Sequence, residues 1–403
     1  MEEMYYYWLH NVSGIGRVTL QNILKITTPE ELYKCNLEKT SEFLTDKQRE
    51  ALKESIKQWN VVKEWEKIEK RNIKLLRLGD NNYPGKLSKI SDPPVILYQK
   101  GKDFILDKPS VAVIGARACS QYGSLAAKEL GRELAHMGIV VVSGMARGID
   151  GICQWAALEN QGESIGVLGS GVEVCYPPEN RTLYEKLQID GCIISENPPF
   201  MQPNARLFPL RNRIISGLAD IIVVVESREK SGTLITVDMA LEQGKEVYAM
   251  PGRMTDPVSR GCNKLIKQGA GVVLSPREFV EEISPILIHK YQNTKKNLLR
   301  KEKYSIEGKD TLQQTKKNAV LQEVQNAETI WGTQVTKEEQ IILKVLNVSL
   351  KNIEEIYQEA KKEIAEITLS KVMEVVLGLQ LKNILKEENG YYGVNVYNQL
   401  ITC

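Results

Sequence analysis

The sequence predicts an α/β protein whose centre is a mostly parallel β-sheet covered by helices on both faces. Two observations lead there. First, seven short runs rich in β-branched residues alternate with helical patterns: VAVIG (111–115), IVVVSG (139–144), IGVLG (165–169), CIIS (192–195), IIVVVE (221–226), VYAMPG (247–252) and VVLS (272–275). Continuously apolar strands of this kind are buried on both faces, as in parallel sheets. Second, nearly every run ends in Gly, Ser or Pro just before a helix begins. This gathers the small-residue loops at the carboxyl ends of the strands, the edge where open α/β sheets bind ligands.

The rest of the chain divides around that centre. Residues 1–80 read as short helices forming a small domain, and the turn-rich stretch LRLGDNNYPGKLSKISDPPVILYQKG (76–101) connects them to the sheet domain, placed at 81–288. Residues 289–334 turn polar and basic, with Lys295, Lys296, Arg300, Lys301, Lys303, Lys316 and Lys317, and read as a linker. Residues 335–403 show three helical patterns and then ILKEENGYYGV, where Asn389-Gly390 is a favoured hairpin turn. Helices followed by a hairpin suggest a winged helix.

At 403 residues the chain is too long for one ordinary core. Its hydrophobic fraction of 42%, charged fraction of 26% and net charge of +2 are those of a globular protein without global basicity, so any nucleic-acid site must be local. The start MEEMYYYWLHNV is acidic where a leader needs a basic end, and no apolar run approaches the roughly 20 residues of a membrane helix, so a cytoplasmic protein is expected. Seven scattered cysteines (Cys35, Cys119, Cys153, Cys175, Cys192, Cys262, Cys403), with no CxxC pair and no histidine at ligand spacing, point to reduced thiols and to no metal.

The first strand-to-helix turn, GARACSQYG (115–123), lacks the GxGxxG of a dinucleotide fold, and no cofactor is expected. Gly115, Arg117 and Ser120 instead bring a guanidinium fork and a hydroxyl beside the free amides of a helix start, a place for a phosphate. Ser143 and Gly144 of SGMARGID, and Gly169, Ser170 and Gly171 of the GSG turn, add small residues whose amides can face an anion. Each turn alone is better explained by the need for a tight bend, but their convergence on one edge favours a ligand.

The segment SENPPFMQPNARLFPLRNRIISGLAD (195–220) gathers Arg206, Phe208, Arg211, Asn212 and Arg213 with little neutralising acid. A single strand of DNA needs a positive groove for its backbone and a ring on which an unpaired base stacks; Phe208 is the candidate ring. The alternative, with Phe208 in the core and the arginines paired to Asp220 and Glu226, stays open. A further turn, ESREKSGTLIT (226–236), offers Ser231, Gly232 and Thr233 as another anion-ready helix start, with Arg228 and Lys230 nearby.

No catalytic group is evident. The three histidines (His10, His136, His289) lie outside the sheet-edge loops, and Asp150 reads as a helix cap or an arginine partner. The rival reading is a nucleotide-binding or nucleotide-hydrolysing enzyme, since Rossmann-like hydrolases use a GGxGTxxE turn; here Thr236 stands where its glutamate would be.

Taken in order, GARACSQYG, SGMARGID, VLGSGVEVCYPPEN, SENPP, FPLRNRIISGLAD, SGTLIT and PGRMTDPVSRGCNKLIKQGA resemble the motifs of the DNA processing protein A (DprA, or Smf) family across residues 85–276. The resemblance implies an extended Rossmann-like fold, binding of single-stranded DNA at this sheet edge, a homodimer, and loading of the recombinase RecA in natural transformation, without catalysis. It carries DNA contact onto Arg117, Phe208, Arg211 and the GSG turn. Two positions depart from the family pattern: Gln154 stands where many members have histidine, and Pro178 where many have a basic residue, so the contact implied there does not carry over.

Near the amino terminus, LHNVSGIGRVTLQNIL (9–24) resembles a helix-hairpin-helix, in which Gly14 and Gly16 would let a helix offer amides to a DNA backbone; a plain helical turn explains the same glycines. The last helix of the tail, SKVMEVVLGLQLKN (370–383), carries Lys371 and Lys382 but also Glu374, and its neighbours carry Glu354, Glu355, Glu359, Glu363 and Glu366. That is poor for groove binding and favours a protein-docking or regulatory module.

Overall fold

The β-branched runs form strands because each can bury both of its faces. In β3 (Ser110–Ile114) Val111 and Val113 face one core while Ala112 and Ile114 face another, the two-residue alternation of a strand. The same split recurs in β4 (Val140–Ser143) and β7 (Ile221–Val224). The computed structural model describes residues 2–34, 44–103, 108–289, 291, 336–346, 351–364, 366–382, 385–388 and 391–394. Cys35, Cys403, most of the expected linker and the Asn389-Gly390 turn lie outside these residues.

The chain divides into two compact units, Met1–Leu299 and Arg300–Cys403. In the first, a nine-stranded sheet runs in the order β1-β2-β6-β5-β4-β3-β7-β8-β9. Its remaining parallel strands are β5 (Ser164–Val167), β6 (Cys192–Ser195), β8 (Glu246–Ala249) and β9 (Gly271–Val272). VVLS pairs only at its start, for Leu274 beyond β9 is 80% exposed.

Two strands were not expected. β1 (Lys74–Arg77) and β2 (Ile96–Gly101) pair antiparallel with one another, and β2 pairs antiparallel with β6. The stretch read as a connection is therefore an edge of the sheet, which begins before the boundary expected at residue 80. Leu75, Leu76, Ile96, Leu97 and Tyr98 are all buried, which is what holds these strands in place.

Helices cover both faces. α6 (Gln121–His136), α7 (Ile149–Glu159) and α12 (276–289) bury Leu130, Leu134, Cys153, Phe279 and Ile283 against one side. α9 (Leu207–Leu218), α10 (Gly232–Glu242) and α11 (Arg260–Lys267) bury Ile214, Ile215, Val237 and Leu265 against the other. The amino-terminal helices α1 (Glu3–His10), α2 (Arg17–Leu24), α3 (Pro29–Tyr33), α4 (Asp46–Gln58) and α5 (Val61–Glu69) share a third core with α8 (Arg181–Asp190) and the β2 edge. The five described cysteines are free.

The second unit holds α13 (Lys337–Leu346), α14 (Ile353–Glu363) and α15 (Leu369–Leu381), followed by the antiparallel pair β10 (Leu385–Glu388) and β11 (Tyr391–Val394). Its core is Ile342, Leu346, Ile356, Val372, Val376 and Leu379. Among the described residues no helix is long and apolar enough to cross a membrane.

Candidate nucleic-acid interface

β3 and β7 lie side by side, and from them the chain winds in opposite directions: β4, β5 and β6 to one side, β8 and β9 to the other. Ligands of open α/β sheets bind at such a switch point. Here a cleft of about 640 Å³ opens, floored by the turns after the two strands and walled by α9. Gly115, Ala116 and Arg117 come from the first turn, Ser227, Arg228, Ser231, Gly232 and Thr233 from the second, Phe208, Arg211 and Asn212 from α9, and Ala146, Asp150 and Tyr176 from the opposite side.

Arg117 is exposed, and its guanidinium carbon stands 5.7 Å from the centre of the half-buried Phe208 ring. Tyr176 stacks on Phe208 at 5.3 Å, with 30° between the planes. The cleft thus holds a cation and two aromatic rings in one group, able to take a phosphate and a base face side by side. Tyr176 went unnoticed in the sequence, where the YPPEN stretch drew attention only to Pro178, which is exposed at the start of a short turn.

The helix start after β7 is open. Ser231 precedes α10 with no side-chain cap on it, and a Cβ built on Gly232 meets nothing within 4 Å. The first-turn amides of α10 therefore border the cleft uncapped, a ready place for an anion. Ser231 shares a hydrogen bond with Ser227 (2.8 Å), and the Thr233 hydroxyl donates to Gly115 O (3.3 Å), which ties the two turns together.

The helix start after β3 is different, and here the expectation for Ser120 is corrected. Its N–H donates to Glu226 Oε2 (2.8 Å) and its hydroxyl donates to Glu226 Oε1. Glu226 is 1% exposed. The protein's own carboxylate fills the place where a phosphate was expected; Gly123 makes room for it, since a Cβ there would lie 2.4 Å from Glu226 Cδ.

Other small residues also serve the interior. Ser143 is fully buried and donates to Val113 O (2.6 Å), and the Gly144 amide donates to Asp150 Oδ2 (3.2 Å). Ser170 is buried and donates to Val174 O (3.0 Å); the Gly171 amide donates to Met201 O (2.9 Å), and a Cβ on Gly171 would strike Pro198 O at 2.1 Å. The GSG turn is thus packed beneath the SENPP loop instead of facing an anion. Gly169 alone touches the aromatic group, for its missing Cβ leaves the place taken by Phe208.

The arginines of the 195–220 segment separate into three kinds. Arg206 is exposed at the start of α9, outside the lining of the cleft. Arg211 is 6% exposed and donates from Nη1 to Gly144 O (2.9 Å) and Val167 O, and from Nε to Asn212 Oδ1 (3.2 Å). Burial, offset in part by Asp150, pulls its guanidinium down to about 10, so it stays charged at neutral pH. Asp150 is held up by burial and pulled back by Arg211 and by backbone amides. Asp150 thus accepts from the Gly144 amide within electrostatic reach of Arg211.

Arg213 points away from the cleft. It donates to Asp92 Oδ2 (3.0 Å), Glu196 Oε1 (2.7 Å) and Leu210 O (2.9 Å), pinning α9 to the segment before β2. Asp220 is bonded by the Ser110 amide (3.0 Å) and Lys86 (3.1 Å). The alternative in which Asp220 and Glu226 neutralise the arginines is therefore replaced by other pairs.

Gln154 is wholly buried. It accepts from the Met145 amide (3.0 Å) and donates to Ser164 Oγ (3.0 Å) and Ile165 O (3.1 Å). Met145 has a φ of +53°, a conformation that costs a non-glycine residue about 1–2 kcal/mol and needs such a clamp. Asn180 completes it by donating to Met145 O (3.0 Å) and Ala146 O (3.1 Å). Near the amino terminus, Gly14 (φ +81°) turns the chain between α1 and α2, and Gly16, exposed and extended, precedes α2.

A doubly covered, mostly parallel sheet with a cleft at its switch point defines an extended Rossmann-like fold. The chain belongs to the DNA recombination-mediator protein A family, whose model matches residues 74–284. It is 40% identical over 214 residues to the DNA processing protein DprA of Bacillus subtilis, covering 53% of this chain and 72% of that one. It is 42% identical over 203 residues to the DprA of Streptococcus pneumoniae, covering 50% and 72%. The solved structure of the latter superposes with a TM-score of 0.60 at 34% identity, over 69% of this chain and 97% of that one. DprA of Helicobacter pylori, solved in connection with its single-stranded DNA binding mode, superposes with a TM-score of 0.50 at 29% identity, over 53% and 97%.

Proposed function

We propose that this chain binds single-stranded DNA in the cleft between β3 and β7, without catalysis, and passes the strand to a RecA recombinase. The observation that carries the reading is the grouping of the Arg117 guanidinium with the neighbouring Phe208 and Tyr176 rings in one cleft. An unpaired base has a free face to offer such rings, whereas the bases of a duplex are already stacked on one another. The uncapped α10 start and exposed Arg228 supply further attraction for the backbone. Likeness to the Helicobacter pylori protein supports the same ligand.

Delivery to RecA is supported by the family's description as a DNA recombination mediator; a role in natural transformation, a homodimeric state and a cytoplasmic site of action are what the family resemblance implies. The tail is read as a winged-helix-like docking module: α15 exposes Leu369, Met373, Leu377 and Leu381 at helical spacing, not a basic row. In the amino-terminal module, Gly14 and Gly16 remain candidates for a DNA backbone contact.

The test is a titration of labelled single- and double-stranded oligonucleotides at two salt concentrations, with a nucleotide turnover assay beside it. Preference for the single strand, weakening with salt and without turnover, supports the reading. Equal affinity for duplex, or hydrolysis of a nucleotide, would favour the enzyme or a different binding mode.

A further inference from the structure

A second cleft of about 510 Å³ lies behind the first, lined by Lys128, Gly148, Trp155, Glu159, Asn180 and Leu183 among others. A thin wall separates the two. Gly148 belongs to this second cleft, yet a Cβ on it would lie 2.2 Å from Ala116 O and 2.7 Å from Arg117 O, in the turn that floors the first. Asn180, also of the second cleft, is bonded to Ala146 of the first. On the crest stands exposed Arg147, paired with Glu179 at 3.1 Å, both side chains more than half exposed. Such an exposed, solvent-screened pair contributes little and yields readily to a phosphate.

The lining of the second cleft fits a nucleobase. Trp155 is half-buried: its indole packs in part against the core of the amino-terminal helices and in part lines the cleft. Lys128 is exposed, with no partner for its side chain among the described residues. Glu159 and Glu179 would repel a phosphate inside the cleft but can accept from the N–H edge of a base. The backbone is then left to Arg147 and Lys128 at the rim.

Building on the function proposed above, we propose that this cleft is a second base-binding subsite, reached by a single strand that crosses the Ala146–Gly148 wall, with Trp155 as its stacking platform. A strand long enough to enter both clefts binds more tightly than one that fills the first alone.

The experiment titrates oligo-dT strands of increasing length against the full chain, reading affinity and tryptophan fluorescence in parallel. In the wild type, long strands quench the fluorescence. Trp155→Phe, which keeps a ring, retains the affinity and loses the quenching; Trp155→Leu loses about tenfold in affinity for long strands and nothing for short ones. Undiminished quenching in Trp155→Phe, or wild-type affinity at every length in Trp155→Leu, overturns the subsite. Arg117→Ala, run alongside, separates the two readings. Its loss of affinity at all lengths upholds the first cleft whatever Trp155 does, and wild-type binding by it removes the first cleft and with it the crossing strand.

Discussion

The ring of Phe208 occupies the space where a side chain of residue 169 would begin: a Cβ on Gly169 falls 2.7 Å from Phe208 Cδ1 and 3.0 Å from Cε1. The glycine of the GSG turn therefore contributes to the cleft by setting the position of an aromatic ring. Gly169→Ala must move that ring, and the expected result is a loss of single-strand affinity approaching that of Phe208→Ala, with the circular dichroism of the native fold retained. Fluorescence anisotropy with oligo-dT checks this; unchanged affinity would mean that the ring's placement does not matter.

Arg211 holds the cleft together from within. Arg211→Met leaves the Gly144 and Val167 carbonyls and Asp150 buried without their cationic neighbour. A loss of stability on the order of 3 kcal/mol is expected in urea unfolding. Arg117→Ala, at an exposed position, should change stability by no more than about 0.5 kcal/mol. Equal melting of the two variants would contradict the division between a structural and a ligand-facing arginine.

Gln154 stands where the family resemblance implies histidine, and the geometry there suits either residue. The site needs one acceptor for the Met145 amide and a donor toward Ser164 or Ile165. Neutral histidine has one of each. Gln154→His should therefore cost less than Gln154→Leu, for which about 2 kcal/mol is expected from buried groups left unpaired. Denaturant midpoints of the two variants decide the matter; a leucine variant as stable as the histidine one would remove the clamp from the account.

His10 gives a pH dependence. Its ring stacks on Tyr98 (5.7 Å between centres, 4° between planes), and Nδ1 lies 3.0 Å from the Tyr98 hydroxyl. Burial lowers its pKa to about 4, below the ordinary 6.5. Between those values the unfolded chain binds a proton that the folded chain refuses. The contribution to stability is thus whole above pH 6.5 and is lost as pH falls toward 4, by at most about 3 kcal/mol. Urea unfolding from pH 7 to 4.5 should show this slope reduced in His10→Gln; parallel profiles would contradict it.

The parallel strands were legible because burial on both faces leaves a continuous apolar run, as in Ile221–Val224. β1 and β2 were hidden because KLLR and ILYQKG carry charged or polar ends and stand among Gly, Asn and Pro, which read as punctuation. At the cleft, residue type revealed Arg117 and Phe208 but not the direction of each side chain. Arg211 and Arg213 sit two apart on one helix, yet one lines the cleft from within and the other turns to Asp92 and Glu196. Nor does a sequence say that an anion-ready helix start is already filled, as Ser120 is by Glu226.

The central claim is that Arg117 and Phe208 act on one single strand in different ways, and the salt dependence of oligo-dT affinity in the wild type, Arg117→Ala and Phe208→Ala tests it most directly. Arg117→Ala should weaken binding and lower the slope of log affinity against log salt by about 0.7, the share of one phosphate contact on a single strand. Phe208→Ala should weaken it by about 1–3 kcal/mol with the slope unchanged. Wild-type affinity and slope in both variants would contradict the account.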